Sequence, residues 1–197
     1  MSIRSEQKEK TRQAIIQAAL KLSEEKGYPA LSLREVTREA EIAPATFYRH
    51  FKDMEELGLV LVDKVALTLR QLMRKARQRI KINGSVIETS VVTQLEFSQQ
   101  NPELFRLLTS GLTGGPIIFR EALQKEKQFF VDELHEDLSS DSRLTNTPLA
   151  AEIMVNQVLV ASIEAIDKKP EELALIQQRL ITQLRMILLG SMAQKSN

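Results

Sequence analysis

LSLREVTREAEIAPATFYRHFK, residues 31–52, reads as a helix, a tight turn and a second short helix, and it follows a basic amphipathic segment. The first helix has a physical start. Ser32 stands three residues before Glu35, and the two side chains can each satisfy an orphan amide of the first turn. Leu33, Val36 and Ala40 fall on one face. The pattern breaks at Glu41-Ile42-Ala43, and Pro44 suits the first position of the next helix, where its missing N–H has no intrahelical partner. Ile42, Phe47 and Phe51 can close a small core under the turn. The outer face then carries Pro44, Ala45, Thr46, Tyr48, Arg49 and His50. Small residues at its N-terminal end let a helix enter a major groove closely, Thr46 and Arg49 can read base edges, and Tyr48, His50 and Lys52 can hold phosphates. Ser32 and Arg34 are poised at the DNA backbone from the preceding helix. From spacing alone, an ordinary helical hairpin with a solvated charged face fits equally well.

The run Thr46, Phe47, Tyr48, Arg49, His50, followed by Phe51 and Lys52, resembles the recognition helix of the TetR family of bacterial repressors. The resemblance implies an all-α fold: an N-terminal helix-turn-helix domain and a C-terminal helical domain for ligand binding and dimerisation. It also implies a homodimer joined through the last two helices. A symmetric dimer presents two recognition helices about one DNA turn apart, which predicts a palindromic double-stranded operator.

Length and charge agree with that division. At 197 residues the chain exceeds a lone DNA-binding module by enough to hold a second core. We expect residues 1–52 to be the DNA-binding domain and 53–197 the ligand-binding and dimerisation domain. The formal net charge is only +1, but residues 1–82 hold 17 Lys and Arg against 11 Asp and Glu, while residues 83–197 hold 10 against 15. Positive potential is therefore concentrated in the part that carries the motif, as phosphate binding requires.

The apolar spacing is helical throughout and predicts about nine helices. The first runs from about Ser5 to Lys26, with Ile15, Ala18, Ala19 and Leu22 inward and Gly27 as its stop. The fourth starts at Asp53, which forms a second capping box with Glu56, and reaches about Ile82 before Asn83-Gly84. Ser85 caps a helix to about Gln100. Pro102 opens a short helix to about Ser110, and Gly111–Gly115 is a loop. Pro116 starts a helix to about Leu138, and the polar stretch Ser139–Thr147 is a flexible connection. Pro148 and Pro170 open the last two helices, ending near Asp167 and Met192. On the last one Leu173, Ile176, Leu180, Leu184, Ile187 and Leu188 share one face.

The fourth helix carries a second feature. Arg70, Arg74, Arg77 and Lys81 project along one stripe, while Val62, Val65, Leu69, Leu72, Met73, Ala76 and Ile80 occupy another. A solvated ridge that complements the helix dipole is the simpler reading, and a site for an anionic partner is the other. The segments LREVTREAEIAPATFYRHFKDMEELGL, LRQLMRKARQRI and NGSVIETSV resemble a branch of the TetR family that represses genes of fatty acid synthesis. The match is strong to about Val91 and diffuse afterwards, and the loop Ser110–Pro116 departs from it. This resemblance implies an effector, a long-chain acyl-CoA or acyl-acyl-carrier-protein, whose hydrophobic chain needs an apolar tunnel. Met73, Phe97, Leu104, Phe105, Leu108, Phe119, Phe129, Phe130 and Met154 are candidate walls, although a buried Phe or Met is more often core. Arg70, Arg74, Arg77, Lys81, Arg106 and Arg120 are candidate partners for the phosphate-bearing part.

Other chemistry is poorly supplied. The absence of cysteine excludes disulfides and thiolate metal sites, and the two histidines, His50 and His135, lie in different expected domains. His135-Glu136 begins like a zinc-protease motif, but Ser139 stands where the second His is needed. The glycine loop lacks the Lys-Ser/Thr of a phosphate-binding loop. We expect no enzyme, no metal and no cofactor, no membrane span or leader, and a cytoplasmic protein. Two further readings stand beside a fatty-acid repressor: a repressor of an efflux or catabolic gene answering another hydrophobic compound, and a helical interaction module whose head no longer binds DNA.

Overall fold

The structure, a computed structural model, describes the backbone of residues 3–83, 86–113 and 117–193, and within these the side chains except at 3, 69, 71–83, 108–113 and 193. Among the described residues the chain forms nine α-helices and no strand: α1 (Ile3–Lys26), α2 (Leu33–Glu39), α3 (Pro44–Phe47), α4 (Met54–Asn83), α5 (Val86–Gln100), α6 (Pro102–Thr113), α7 (Ile117–Ser139), α8 (Thr147–Ala165) and α9 (Pro170–Ala193). A single 3₁₀ turn, Tyr28–Ala30, stands between α1 and α2. The all-α expectation holds.

Two differences in helix extent have local causes. α6 continues through Gly111 to Thr113 instead of stopping near Ser110, because one glycine inside a helix costs only about 1 kcal/mol relative to alanine. The expected caps and stops at Gly84, Ser85, Gly114, Gly115 and Pro116 lie outside the described residues. At the start of α4 the Asp53 carboxylate accepts from the Glu56 amide at 2.9 Å. The reciprocal bond of the expected box falls one residue earlier, with the Lys52 amide donating to Glu56 at 2.6 Å.

The chain packs as two compact units, one of residues 1–67 with 103–124 and the other of 68–102 with 125–197. In the first, Ile15, Ile16, Ala19 and Leu20 of α1, Val36, Phe47, Phe51 and Leu57, Leu61 and Val65 of α4 are buried. Packing therefore carries this unit past the end of the motif at residue 52 and brings in α6 and the first half of α7. The Tyr28 ring stacks on Phe119 of α7 at 5.1 Å and 20°, and its hydroxyl donates to the Met54 carbonyl. Burial pushes the Tyr28 phenol well above its ordinary pKa. Gly58 makes this possible, since a Cβ there would lie 2.7 Å from Tyr28 Cε1 and 3.1 Å from Phe119 Cδ2.

In the second unit α8 packs on α9 and α5 packs on both. Val91 and Leu95 of α5, Met154, Ala161 and Ala165 of α8, and Ile176, Leu180 and Leu184 of α9 form one buried cluster, with Leu173, Ile187 and Leu188 against it. Polar groups are paired here: the buried Gln94 Nε2 donates to Ser162 Oγ at 3.2 Å, and the half-buried Gln99 Nε2 donates to the carbonyls of Ala165, the last residue of α8, and of Lys168 just beyond it. The α7–α8 connection, expected to be flexible, is tied down. The Thr145 amide and hydroxyl both donate to the Ser191 carbonyl of α9, at 3.2 and 2.5 Å, and Ser191 Oγ returns a bond to the Thr145 carbonyl. At its two ends, His135 Nδ1, Ser139 Oγ and Thr147 Oγ1 lie 2.9–3.1 Å apart. These partners are remote in sequence, so a polar composition alone reads as a loop. α8 is long and apolar enough to cross a membrane by length and composition, yet Ala150, Ala151, Met154, Ala161 and Ala165 are buried within the chain.

Candidate nucleic-acid interface

The capping box at the start of α2 is present in full. The Glu35 amide donates to Ser32 Oγ at 3.4 Å and the Ser32 amide donates to Glu35 Oε2 at 3.0 Å. Ser32 Oγ also lies 2.7 Å from that carboxylate, so the hydroxyl proposed for DNA serves the helix first. Glu35 pairs with Lys26 of α1, which with the Ser32 bonds holds its carboxyl down to about 2. Glu39 pairs with Lys21 at 2.5 Å. Both acidic residues of α2 are thus engaged by α1, while Arg34 and Arg38, four residues apart on the helix, remain exposed.

The turn is a Schellman motif. The Ile42 amide donates to the Thr37 carbonyl at 3.0 Å and the Glu41 amide to Arg38 at 3.2 Å, which satisfies carbonyls the end of α2 leaves over. Glu41 takes the left-handed position at φ 54° that usually favours glycine. Pro44 then starts α3 at its first position. After Phe47 the chain tightens, with the Arg49 amide donating to Thr46 at 3.1 Å and His50 to Phe47 at 2.9 Å.

Phe47 and Phe51 are fully buried, with ring centroids 5.6 Å apart, and Ile42 is half-buried beside the turn in sequence. This core turns the polar side outward: Pro44, Ala45, Arg49 and Lys52 are exposed, Thr46 and His50 half-buried, and Tyr48 61% exposed for so large a ring. The arrangement presents a short helix with a small N-terminal end and polar groups behind it. From α1 the Arg12 guanidinium sits 4.6 Å over the Phe51 ring. His50 is held below its ordinary pKa by burial first and then by the charges of Lys8 and Arg12. The sequence shows a basic N-terminal segment, whereas only the structure brings Lys8 and Arg12 to the motif. Their four-residue spacing was the available signal.

The candidate effector residues divide between the units. Leu104, Phe105 and Phe119 are buried in the first, with Arg106 half-buried and Arg120 exposed there. Phe97, Phe129, Phe130 and Met154 belong to the second. Met154 is in the α5–α8–α9 core, Phe97 and Phe130 are half-buried, and Phe129 is 44% exposed. Arg70 donates to Glu126 at 2.7 Å and stands 5.9 Å from the Phe129 ring. The side chains of Met73, Arg74, Arg77, Lys81 and Leu108 lie outside the described residues.

On α9 the stripe expected from spacing is occupied by the chain's own core. Leu175, Met186 and Leu189 stand exposed on a different face, as do Leu149, Ile153 and Val160 on α8.

A capped helix, a tight turn and a short helix with its polar side outward define a helix-turn-helix domain. Residues 15–59 match the family model described as bacterial regulatory proteins, tetR family, and the chain carries that family's N-terminal domain. Over about nine-tenths of its length the chain has the fold of solved TetR-type regulators. One is AibR in complex with isovaleryl coenzyme A and operator DNA, at 18% identity and TM-score 0.68 over 88% of this chain and 97% of that one. A second is the fatty acid degradation regulator FadR from Bacillus halodurans, at 18% identity and TM-score 0.69 over 89% and 96%. A third is the multidrug binding protein EbrR complexed with malachite green, at 15% identity and TM-score 0.70 over 90% and 97%.

Proposed function

We propose that this chain is a homodimeric repressor of unsaturated fatty acid synthesis genes, binding a palindromic operator and modulated by long-chain acyl thioesters. The observation that carries the DNA half is the outward face of Ala45, Thr46, Tyr48 and Arg49 over the buried Phe47–Phe51 pair. In this reading Pro44, Ala45, Thr46 and Arg49 approach base edges, while Ser32, Arg34, Tyr48, His50 and Lys52 hold the backbone. Residues 1–52 meet DNA, and 53–197 sense and dimerise. The exposed apolar residues of α8 and α9 support the dimer, because a second copy would remove them from water.

The acyl half is supported by the resemblance of segments between Leu33 and Val91 to the fatty-acid-synthesis repressor FabR, and more loosely to the desaturase repressor DesT. It gains from structural neighbours named for isovaleryl coenzyme A and for fatty acid degradation. An acyl chain among the middle helices would bias two arrangements of the head, and a coupling of ~1–3 kcal/mol changes operator occupancy several-fold or more. The second reading, a repressor answering another hydrophobic compound, is supported by the neighbour that holds malachite green.

The test is binding to a palindromic site from an unsaturated-fatty-acid synthesis promoter, titrated with saturated and unsaturated acyl thioesters at fixed salt. Acyl-dependent specific binding is expected. Identical curves with every thioester would reject the acyl half and leave the second reading. Arg49→Ala should cost about 1–3 kcal/mol on the preferred site and relax preference at one base pair. A loss equal across sequences would move Arg49 to the phosphate contacts.

A further inference from the structure

The motif accounts for α2 and α3, but a cleft of about 840 Å³ lies between α1 and the turn that follows α3, with Lys8, Arg12, Arg49 and His50 among its lining residues. Lys8 and Arg12 are four residues apart, one above the other on α1. Arg12 is held in place by the Phe51 ring at 4.6 Å, an attraction between a cation and an aromatic face. Phe51 in turn packs on Phe47 of α3, so the cations of α1 keep a set position relative to the recognition helix. Arg49 faces the same space from the other side. Glu6 and Glu9 also line the cleft, but the cations Lys8, Lys10, Arg12 and Arg49 outnumber these two carboxylates; the bond that Glu9 accepts from Gln13 at 2.8 Å leaves its charge in place.

The His50 ring adds a directed donor. Its Nδ1 is buried without a hydrogen-bond partner, and a buried lone pair without a partner is tolerated better than a buried N–H. With the proton on Nε2 the buried Nδ1 is the lone pair, and Nε2 is then the donor this ring can offer a visitor. Lys8, Arg12 and Arg49 disfavour a further positive charge on this ring and Glu9 favours it, so the cations outweigh the carboxylate in this small region. A volume of this size suits a stretch of chain more than a lone small ion.

We propose that this cleft receives a sugar-phosphate segment of the operator, with a phosphodiester held by Lys8 and Arg12 of α1 together with His50. The proposal rests on the DNA-binding reading above and extends the DNA contact from the motif to the first helix. The contact is to backbone, so it adds affinity and register without adding sequence preference.

The experiment measures duplex binding against salt for the wild-type chain and for Lys8→Gln, on an operator selected from a random pool and on a scrambled duplex. Lys169→Gln, on an exposed residue of the other compact unit, is the control for net charge. Lys8→Gln is expected to lower the slope of log K against log salt by about 0.9, with the same fold loss on both duplexes. The control should leave the slope unchanged. Equal slopes for Lys8→Gln and wild type would overturn the proposal. A second arm follows the His50 ring by NMR during addition of inorganic phosphate alone and then duplex. A large shift with duplex but not with phosphate is expected, whereas saturation by inorganic phosphate with unchanged salt slopes would make the cleft a small-anion site and overturn it. Failure of the wild-type chain to bind either duplex would overturn the DNA-binding reading itself, and this one with it.

Discussion

The face that carries Tyr48 and Arg49 and the face that carries Leu175, Met186 and Leu189 are both turned to water, but they are built from opposite chemistry. The first is polar and basic over a small aromatic core, with its turn specified by a capping box, a Schellman motif and a proline within about a dozen residues. The second is apolar and stands on helices whose other sides form the main core of their unit. The difference teaches that an exposed surface has to be read by what would satisfy it. Charged donors call for an anion, whereas an apolar stripe calls for another apolar stripe.

The largest effect that would break this comparison is on the apolar face. In the proposed homodimer, Leu175→Arg combined with Leu189→Arg should leave the protein folded, since both side chains are exposed, yet make it monomeric by sedimentation. Operator binding should fall by roughly a hundred-fold to ten-thousand-fold as the linked pair of heads is lost. A dimer of undiminished affinity would show that the copies join elsewhere.

Next comes the packing elsewhere in the compact unit that carries the polar face. Gly58→Ala places a Cβ 2.7 Å from Tyr28 Cε1, so the Tyr28–Phe119 stack must shift. The expected destabilisation is about 1–3 kcal/mol, read by chemical denaturation. Tyr28→Leu in the same background should recover part of it.

The acid response sharpens the local side. Glu35 is held down to about 2, chiefly by Lys26 and then by Ser32. A carboxyl depressed in the folded state contributes stability above its unfolded pKa, and that contribution is lost as pH falls from about 4.5 through about 2. Ser32→Ala should move the Glu35 titration upward in NMR and destabilise the head by about 1 kcal/mol. An unmoved titration would mean that Lys26 alone sets it.

The smallest effect expected is a gain. Glu41 holds φ 54°, and Glu41→Gly removes its side-chain strain there, a gain of at most about 1 kcal/mol visible as a higher midpoint in denaturant. A loss would show that the Glu41 side chain contributes more than its backbone costs.

Much of the head was legible because its determinants are close in sequence. Ser32–Glu35, Pro44 and the Phe47–Phe51 spacing act within one or two turns, and each stands where spacing put it. The effector residues were less legible. Phe119 stacks on Tyr28 across ninety-one positions, Met154 is core, and Arg70 already holds Glu126. Side-chain type announces that a residue will be buried or charged, but not which neighbour meets it.

The sequence by itself determined the helical class, the motif, the order of the helices and the excess of basic residues near the motif, since periodicity, caps and charge are local properties of the chain. Only the tertiary structure decided which stripe of α9 is core and which stays exposed, that α6 and half of α7 pack with the head, that the α7–α8 connection is pinned to Ser191, and that Lys8 and Arg12 share a cleft with His50. The physical reason is the same in each case. These outcomes depend on contacts between residues far apart along the chain, chosen by shape and by the pairing of buried polar groups.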